Sequence, residues 1–533
     1  MATSSNRVVI IGAGHNGLVT AAYLAKAGFK PLILERRGVV GGSAVTEEIH
    51  PGFKIPTLAH SAGPMLPGLV QDLQLEKHGL SMIRPEVRVF SPSKDGKAVT
   101  IYADAARTAR ELASISAKDA LAYPGFIASF AAIGKVLAPV LSMTPPSISE
   151  PTRGELFNLG MLGLKFRGLS RKDAFRLLRW GPMAVADLAS EWFETESLRA
   201  IVAARGIYGA SAGPWSAGTS ASLLLQAALD GNALAPALFM KGGIGSLTQS
   251  LARAATTMGA QIRTDAEVKS ISVKEGRVVG VVLSTGEEVT ASSVVSNADP
   301  KTTYLKLLDP VELDPDFRYK IGNFRSTGSA AKINLALSAL PAFHGAKDGS
   351  LSGRIHIGPD IDYMERAFDE SKYGDFSTHP YMDIAIPSVT DPSLAPTGAH
   401  AMSIHVQYAP YKLKNGDWNS RREEFGDAVI RCLAESAPGI SSLILARQVI
   451  TPLDLEQTYG LGGGHILHGE PALDQLFTFR PMLGWAQYRA PVKGLYLCGS
   501  GTHPGGGITG APGANASREI LKELRSNSGV SGA

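Results

Sequence analysis

Cysteine is nearly absent. Cys432 and Cys498 are the only two in 533 residues, and no C-x-x-C unites them. That excludes a disulfide framework, a redox-active dithiol and a thiolate zinc site, and it fits a reducing compartment. An excess of one charge is also missing: 52 lysines and arginines face 48 aspartates and glutamates, for a net charge of +4. With that charge spread along the chain, nucleic acid is not an expected partner. Long apolar runs are missing too. The nearest approach to the roughly 18 unbroken apolar residues of a membrane span is "FIASFAAIGKVLAPVLSM", interrupted by Lys135 and Pro139. The opening "MATSSNR" has no apolar stretch, so no secretory signal is expected and the expected location is cytoplasmic.

What is present describes an ordered globular protein, 44% hydrophobic and 19% charged, long enough for two or three domains. "LGLKFRGLSRKDAFRLLRW" interleaves Leu, Phe and Trp with Lys165, Arg167, Arg171, Lys172, Arg176 and Arg179. It reads either as a basic amphipathic face that touches a membrane or as a surface helix packing its apolar side inward. "VVIIGAGHNG" predicts a buried strand at Val8–Ile11, then Gly12, Gly14 and Gly17 in G-x-G-x-x-G spacing, with Ala13 and Asn16 inside the turn. Gly12 makes the turn, Gly14 admits a pyrophosphate to the backbone, and Gly17 lets the following helix pack closely. That helix aims its first amides at the phosphates. A second strand, "PLILE", ends in Glu35, the acid this fingerprint places about 20 residues on, where it accepts ribose hydroxyls.

A glycine pair, Gly41-Gly42, follows Glu35 and Arg36 and lets main chain close over the dinucleotide from the other side. The segment resembles the E-x-x-x-x-x-G-G stretch of flavoprotein oxidoreductases in the amine oxidase and phytoene desaturase group. Many of those carry Arg after the pair; this chain has Ser43. The resemblance implies that Val268 offers backbone groups to the adenine. Near the other end, "LYLCGSGTHPGGGITG" repeats the strand-and-glycine pattern. Gly499 is expected near the pyrophosphate, and Gly507 in the loop close to the flavin. Ile508 and Thr509 are expected to open a last helix beneath the isoalloxazine, its dipole favouring negative charge there. The two glycine turns are thus read as holding the two halves of one FAD. No second strand, turn and acid provides a separate NAD site.

Further stretches carry the resemblance: "PKTTYLKLLD", "KINLALSALPAF", "PSVTDPSLAPTGAHAMSIHVQYAPY", "GLGGGHILHGE" and "LDQLFTFRP". The chain resembles the phytoene dehydrogenase/carotenoid desaturase-like flavoproteins, and within them the PYROXD2-type branch. The expected fold class is α/β. A Rossmann-type FAD-binding domain, a parallel sheet with helices, is assembled from residues 1–75, 235–300 and 481–533. An inserted α+β substrate domain spans 76–234 and 301–480.

His503 and His60 are the candidate catalytic residues, because both fall beside flavin-side glycines; each also reads as a structural histidine. Arg205, Tyr208 and Trp215 are candidates for lining a substrate tunnel, with core packing and a surface ion pair as the plainer readings. His465, His468 and Glu470 match no closed zinc spacing, and no metal is expected. The reading is an FAD-dependent oxidoreductase that desaturates a hydrophobic, isoprenoid-like or alicyclic substrate by hydride transfer to flavin N5. Its rivals are an oxidase of C–N or C–O bonds in a smaller molecule and a low-turnover flavoprotein with a binding or assembly role. Expected partners are the substrate and an electron acceptor (oxygen, a quinone or another); peripheral membrane contact and homo-oligomerisation are compatible with the sequence.

Overall fold

Short apolar runs without polar alternation become strands buried on both faces. In a computed structural model, which describes residues 7–527, four of them and one polar, largely exposed edge strand form a parallel sheet. Its order is Leu495–Leu497, Ser293–Ser296, Val8–Ile11, Leu32–Leu34, Gln261–Arg263. Strand alternation sends Val8 and Ile10 to one face, against the helices His15–Lys26, Gly245–Thr257 and Ala511–Asn527. Val9 and Ile11 face the other way, toward an antiparallel meander of Val268–Lys274, Arg277–Leu283 and Glu288–Thr290.

A second, seven-stranded sheet draws on residues 87–102, 330–337, 354–357, 381–385, 400–407 and 444–450. Its register brings polar side chains into one row. Lys332 lies opposite His405, His405 opposite Asp383, and Asp383 opposite His356. Residues directly opposite share a face, and so does Arg354, two positions before His356.

Helices cover both faces of this sheet: Trp418–Ser436 packs against Ile333, Ile355 and Ile404 on one, and a larger group packs with Val89 and Tyr381 on the face of the polar row. The longest, Ala117–Ser142, runs through Lys135, Pro124 and Pro139, and by length and composition alone it could cross a membrane. Its Tyr123, Phe126 and Phe130 are buried against Trp180 and Phe193, with the Phe130 and Trp180 rings stacked 4.9 Å apart. Its Gly134 touches the helix Ala221–Asp230 so closely that a Cβ would stand 2.2 Å from Ala227 O. Gly134→Val is therefore expected to destabilise the protein by about 1–3 kcal/mol, read as a lower Tm; an unchanged Tm would refute the contact.

Candidate functional site

The helix His15–Lys26 starts at Gly14, and no side chain caps its first turn. Its leading amides are free for an anion. They open on a cleft of about 480 Å³ at the carboxyl ends of the parallel strands. Gly12, Gly14, Asn16, Glu35, Arg36, Gly42, Ser43 and Val268 line it, together with Gly507 and Ile508 from the other end of the chain. Both glycine turns thus share one cleft. Glu35 orders the first: Oε2 accepts from Ala13 N at 2.7 Å, and Oε1 from Arg37 N at 3.0 Å. Opposite Gly14, a Cβ would meet Asn297 Nδ2 at 2.7 Å, so this cradle closes on any larger residue. An elongated cleft with uncapped helix amides at one end and a strand-terminal acid beside them fits an FAD. Gly12, Gly14, Glu35 and Val268 would hold its adenosine diphosphate half, and Ser43, Gly507 and Ile508 the rest.

Ser43, Leu461, Ile466, Gly507 and Ile508 also border a second cavity of about 170 Å³. The loop Gly505–Thr509 forms one wall, and the polar row of the seven-stranded sheet forms another. Here Lys332 Nζ donates to His60 Nδ1 at 2.8 Å. The ring proton then belongs on Nε2, 3.5 Å from Asp383 Oδ1. Arg354 Nη1 donates to Asp383 Oδ2 at 2.8 Å. All four side chains are buried. Burial lowers Lys332 to about 7, with Asp383 acting partly against it. Burial, reinforced by the Lys332 charge, lowers His60 to about 4, and His405 falls to about 3 for the same two causes. The histidines are therefore neutral, and Lys332 can take or give a proton near neutral pH.

Several sequence expectations are corrected. His503 lines neither cavity: its buried ring donates from Nε2 to Val140 O at 2.7 Å, and its main-chain carbonyl accepts from Tyr488 OH at 2.9 Å. It ties the glycine loop to the long helix instead of facing a reacting centre. Trp215 is 47% exposed and lines neither cavity, because its indole donates outward to Asp362 Oδ1 at 3.3 Å. Gly499 does not line the cleft itself but backs onto Asn297 and precedes Ser500, which do; a Cβ there would stand 2.7 Å from Asn297 O. The last helix begins at Ala511, not at Ile508: Ile508 (φ 55°) and Gly510 (φ 72°) keep the chain out of helix.

The other expected residues lie at or beneath the site. Gly17 packs against the first turn, its Cβ position 2.3 Å from Gly12 O. Gly41 N donates to Ala13 O at 2.9 Å, joining the glycine pair to that turn. Thr509, His60, Arg205 and Tyr208 line the second cavity. Missed from sequence were Lys332, Arg354, Asp383 and His405. A lone charge in each of "AAKINLAL" and "YMDIA" was the available signal, but only strand register unites them.

The protein family described as "Flavin containing amine oxidoreductase" matches residues 17–521. Over 549 residues the chain is 36% identical to the "Pyridine nucleotide-disulfide oxidoreductase domain-containing protein 2" of Rattus norvegicus, covering 97% of this chain and 93% of that one. It is 28% identical over 547 residues to a subunit of the limonene dehydrogenase of Castellaniella defragrans, covering 98% and 95%. A solved oxidoreductase from Methanosarcina mazei shares the fold with a TM-score of 0.61 at 18% identity, over 97% of this chain and all of that one. Gly14→Val is expected to purify without flavin colour while Gly154→Val, at a glycine with open space around it, keeps it. A Gly14→Val protein with full flavin absorbance would refute the placement of the cleft.

Proposed function

The chain belongs to the flavin containing amine oxidoreductase family and is an FAD-dependent oxidoreductase; we propose that it dehydrogenates a hydrophobic, alicyclic or isoprenoid-like substrate. The observation that carries this reading is the shared wall between the two cavities. The cleft that holds both glycine turns adjoins, through Gly507 and Ile508, a chamber with Leu58, Leu225, Leu229, Leu455 and Leu476 in its walls. Bound FAD supplies the acceptor for a hydride from substrate carbon. The apolar wall binds and orients the substrate and excludes water. Lys332, as free amine, takes the proton leaving the neighbouring carbon, and His60 Nδ1 holds Nζ in place. The name of the limonene dehydrogenase relative, which concerns an alicyclic hydrocarbon, points the same way.

Peripheral membrane contact is part of the proposal. The helix Arg153–Arg167 buries none of its side chains; it exposes Leu156, Phe157, Met161 and Leu164 beside Lys165 and Arg167. The helix Arg171–Trp180 adds exposed Phe175 and Leu178. Apolar side chains rimmed by cations suit an anionic bilayer surface.

Two measurements test these readings. The purified protein is expected to show oxidised flavin bands that bleach anaerobically with a hydrophobic alicyclic substrate; a colourless protein that FAD cannot reconstitute would end the proposal. Because Lys332 sits near 7, the bleaching rate should rise with pH through about 7, and Lys332→Met should keep FAD but lose that inflection. In co-sedimentation with phosphatidylserine-containing vesicles, the wild type should pellet and the Phe157→Ser/Leu164→Ser variant should stay in solution. Equal pelleting of both would remove the membrane face.

A further inference from the structure

Three buried arginines, Arg205, Arg354 and Arg480, stand in the wall of the second cavity, and their surroundings differ. Arg480 spends its donors on main-chain carbonyls. Nε donates to Ser500 O (3.3 Å), Nη1 to Glu470 O (3.2 Å) and Gln475 O (3.3 Å), and Nη2 to Leu467 O, Gly469 O and Ser500 O (3.1, 3.1 and 2.8 Å). It is a structural brace. Arg205, 8% exposed, has no such arrangement. Its Nε has no hydrogen-bond partner among the described residues, and its ion-pair contact is Asp383 Oδ2, 3.5 Å from Nη1. The Tyr208 ring lies under the guanidinium, 4.8 Å from Cζ.

Asp383 brings one negative charge to two guanidiniums: its Oδ2 accepts from Arg354 Nη1 at 2.8 Å and lies farther, 3.5 Å, from Arg205 Nη1. Among the described residues, no other carboxylate lines the cavity. Arg354 in turn is anchored to Leu234 O at 2.8 Å, so its pairing with Asp383 is fixed. One guanidinium is left over, buried and facing enclosed space. Burying a cation without acceptors is costly, so such a group is kept where an acceptor arrives.

Resting on the flavin reading above, we propose that the substrate carries a carboxylate, bound by Arg205, with its apolar body against Leu225, Leu229 and Leu455. A guanidinium matches a carboxylate with two parallel hydrogen bonds. One uncompensated positive charge suits a monoanion; the second charge of a phosphate would face Asp383. The volume of about 170 Å³ suits a body of one ring, close to the size of cavities that hold benzene.

The test is calorimetric titration of the FAD-loaded protein with three probes of one shape: cyclohexanecarboxylate, cyclohexylmethanol and cyclohexyl phosphate. The carboxylate is expected to bind tightest. Arg205→Gln should weaken it by about tenfold or more, the loss of one charged hydrogen bond, while leaving affinity for the alcohol and the flavin absorbance unchanged. Should Arg205→Gln not fold, Arg205→Lys serves, with a smaller loss because it keeps the charge but not the fork. A carboxylate that binds no tighter than the alcohol or the phosphate, or that ignores either substitution, overturns the proposal. Flavin content separates the two readings: protein that lacks FAD strikes the flavin assignment, whereas full FAD with no carboxylate preference strikes this inference alone.

Discussion

Asn16 lies between two segments almost five hundred residues further along the chain. Its Nδ2 donates to Ser500 Oγ at 3.1 Å, and its Oδ1 accepts from Gly513 N at 3.4 Å. Thr20, one turn later, donates to Gly513 O at 3.1 Å. Gly513 approaches so closely that a Cβ there would stand 2.3 Å from Asn16 O. This contact locks the first helix to the last and sets both glycine turns on one cleft. A dinucleotide as long as FAD needs such an arrangement, because a single strand–turn–helix unit grips only one of its halves. With the ends apart, neither the cleft nor the adjoining chamber would have its shared wall.

The chamber depends on a second constraint, the placement of charge out of water. Lys332, Arg205 and Arg354 are buried around a single carboxylate, Asp383, with neutral histidines between them. In a low-dielectric interior each such group must find a partner or change its protonation. Arg354 finds Asp383, and Lys332 falls to about 7 while donating to His60. Arg205 is left without a free carboxylate, its Nε unpartnered among the described residues. The same physics thus yields a fixed ion pair, a titratable amine and a cation held ready, in and beside one row of a sheet. Apolar walls around them keep these differences from being screened.

Residues whose role is local were legible in the sequence. The turn at Gly12–Gly17 and the acid at Glu35 act through backbone shape and short-range spacing, and the cleft contains them. Residues read from neighbourhood alone fared differently. His503 follows a flavin-side strand but turns its ring to Val140 O, and Trp215, in a glycine-rich stretch, faces solvent. Chain proximity to a loop does not tell which way a side chain leaves it.

Spacing along the chain was enough to specify the dinucleotide turn, the alternation of helix and parallel strand around it, and the family to which the chain belongs. All of these rest on patterns within a few dozen residues. The meeting of Lys332, His405, Asp383 and Arg354 had to await the fold, since four strands from separate parts of the chain must pair in one register to align them. So did the isolation of Arg205: Asp383 could have served either arginine until tertiary packing gave its Oδ2 to Arg354.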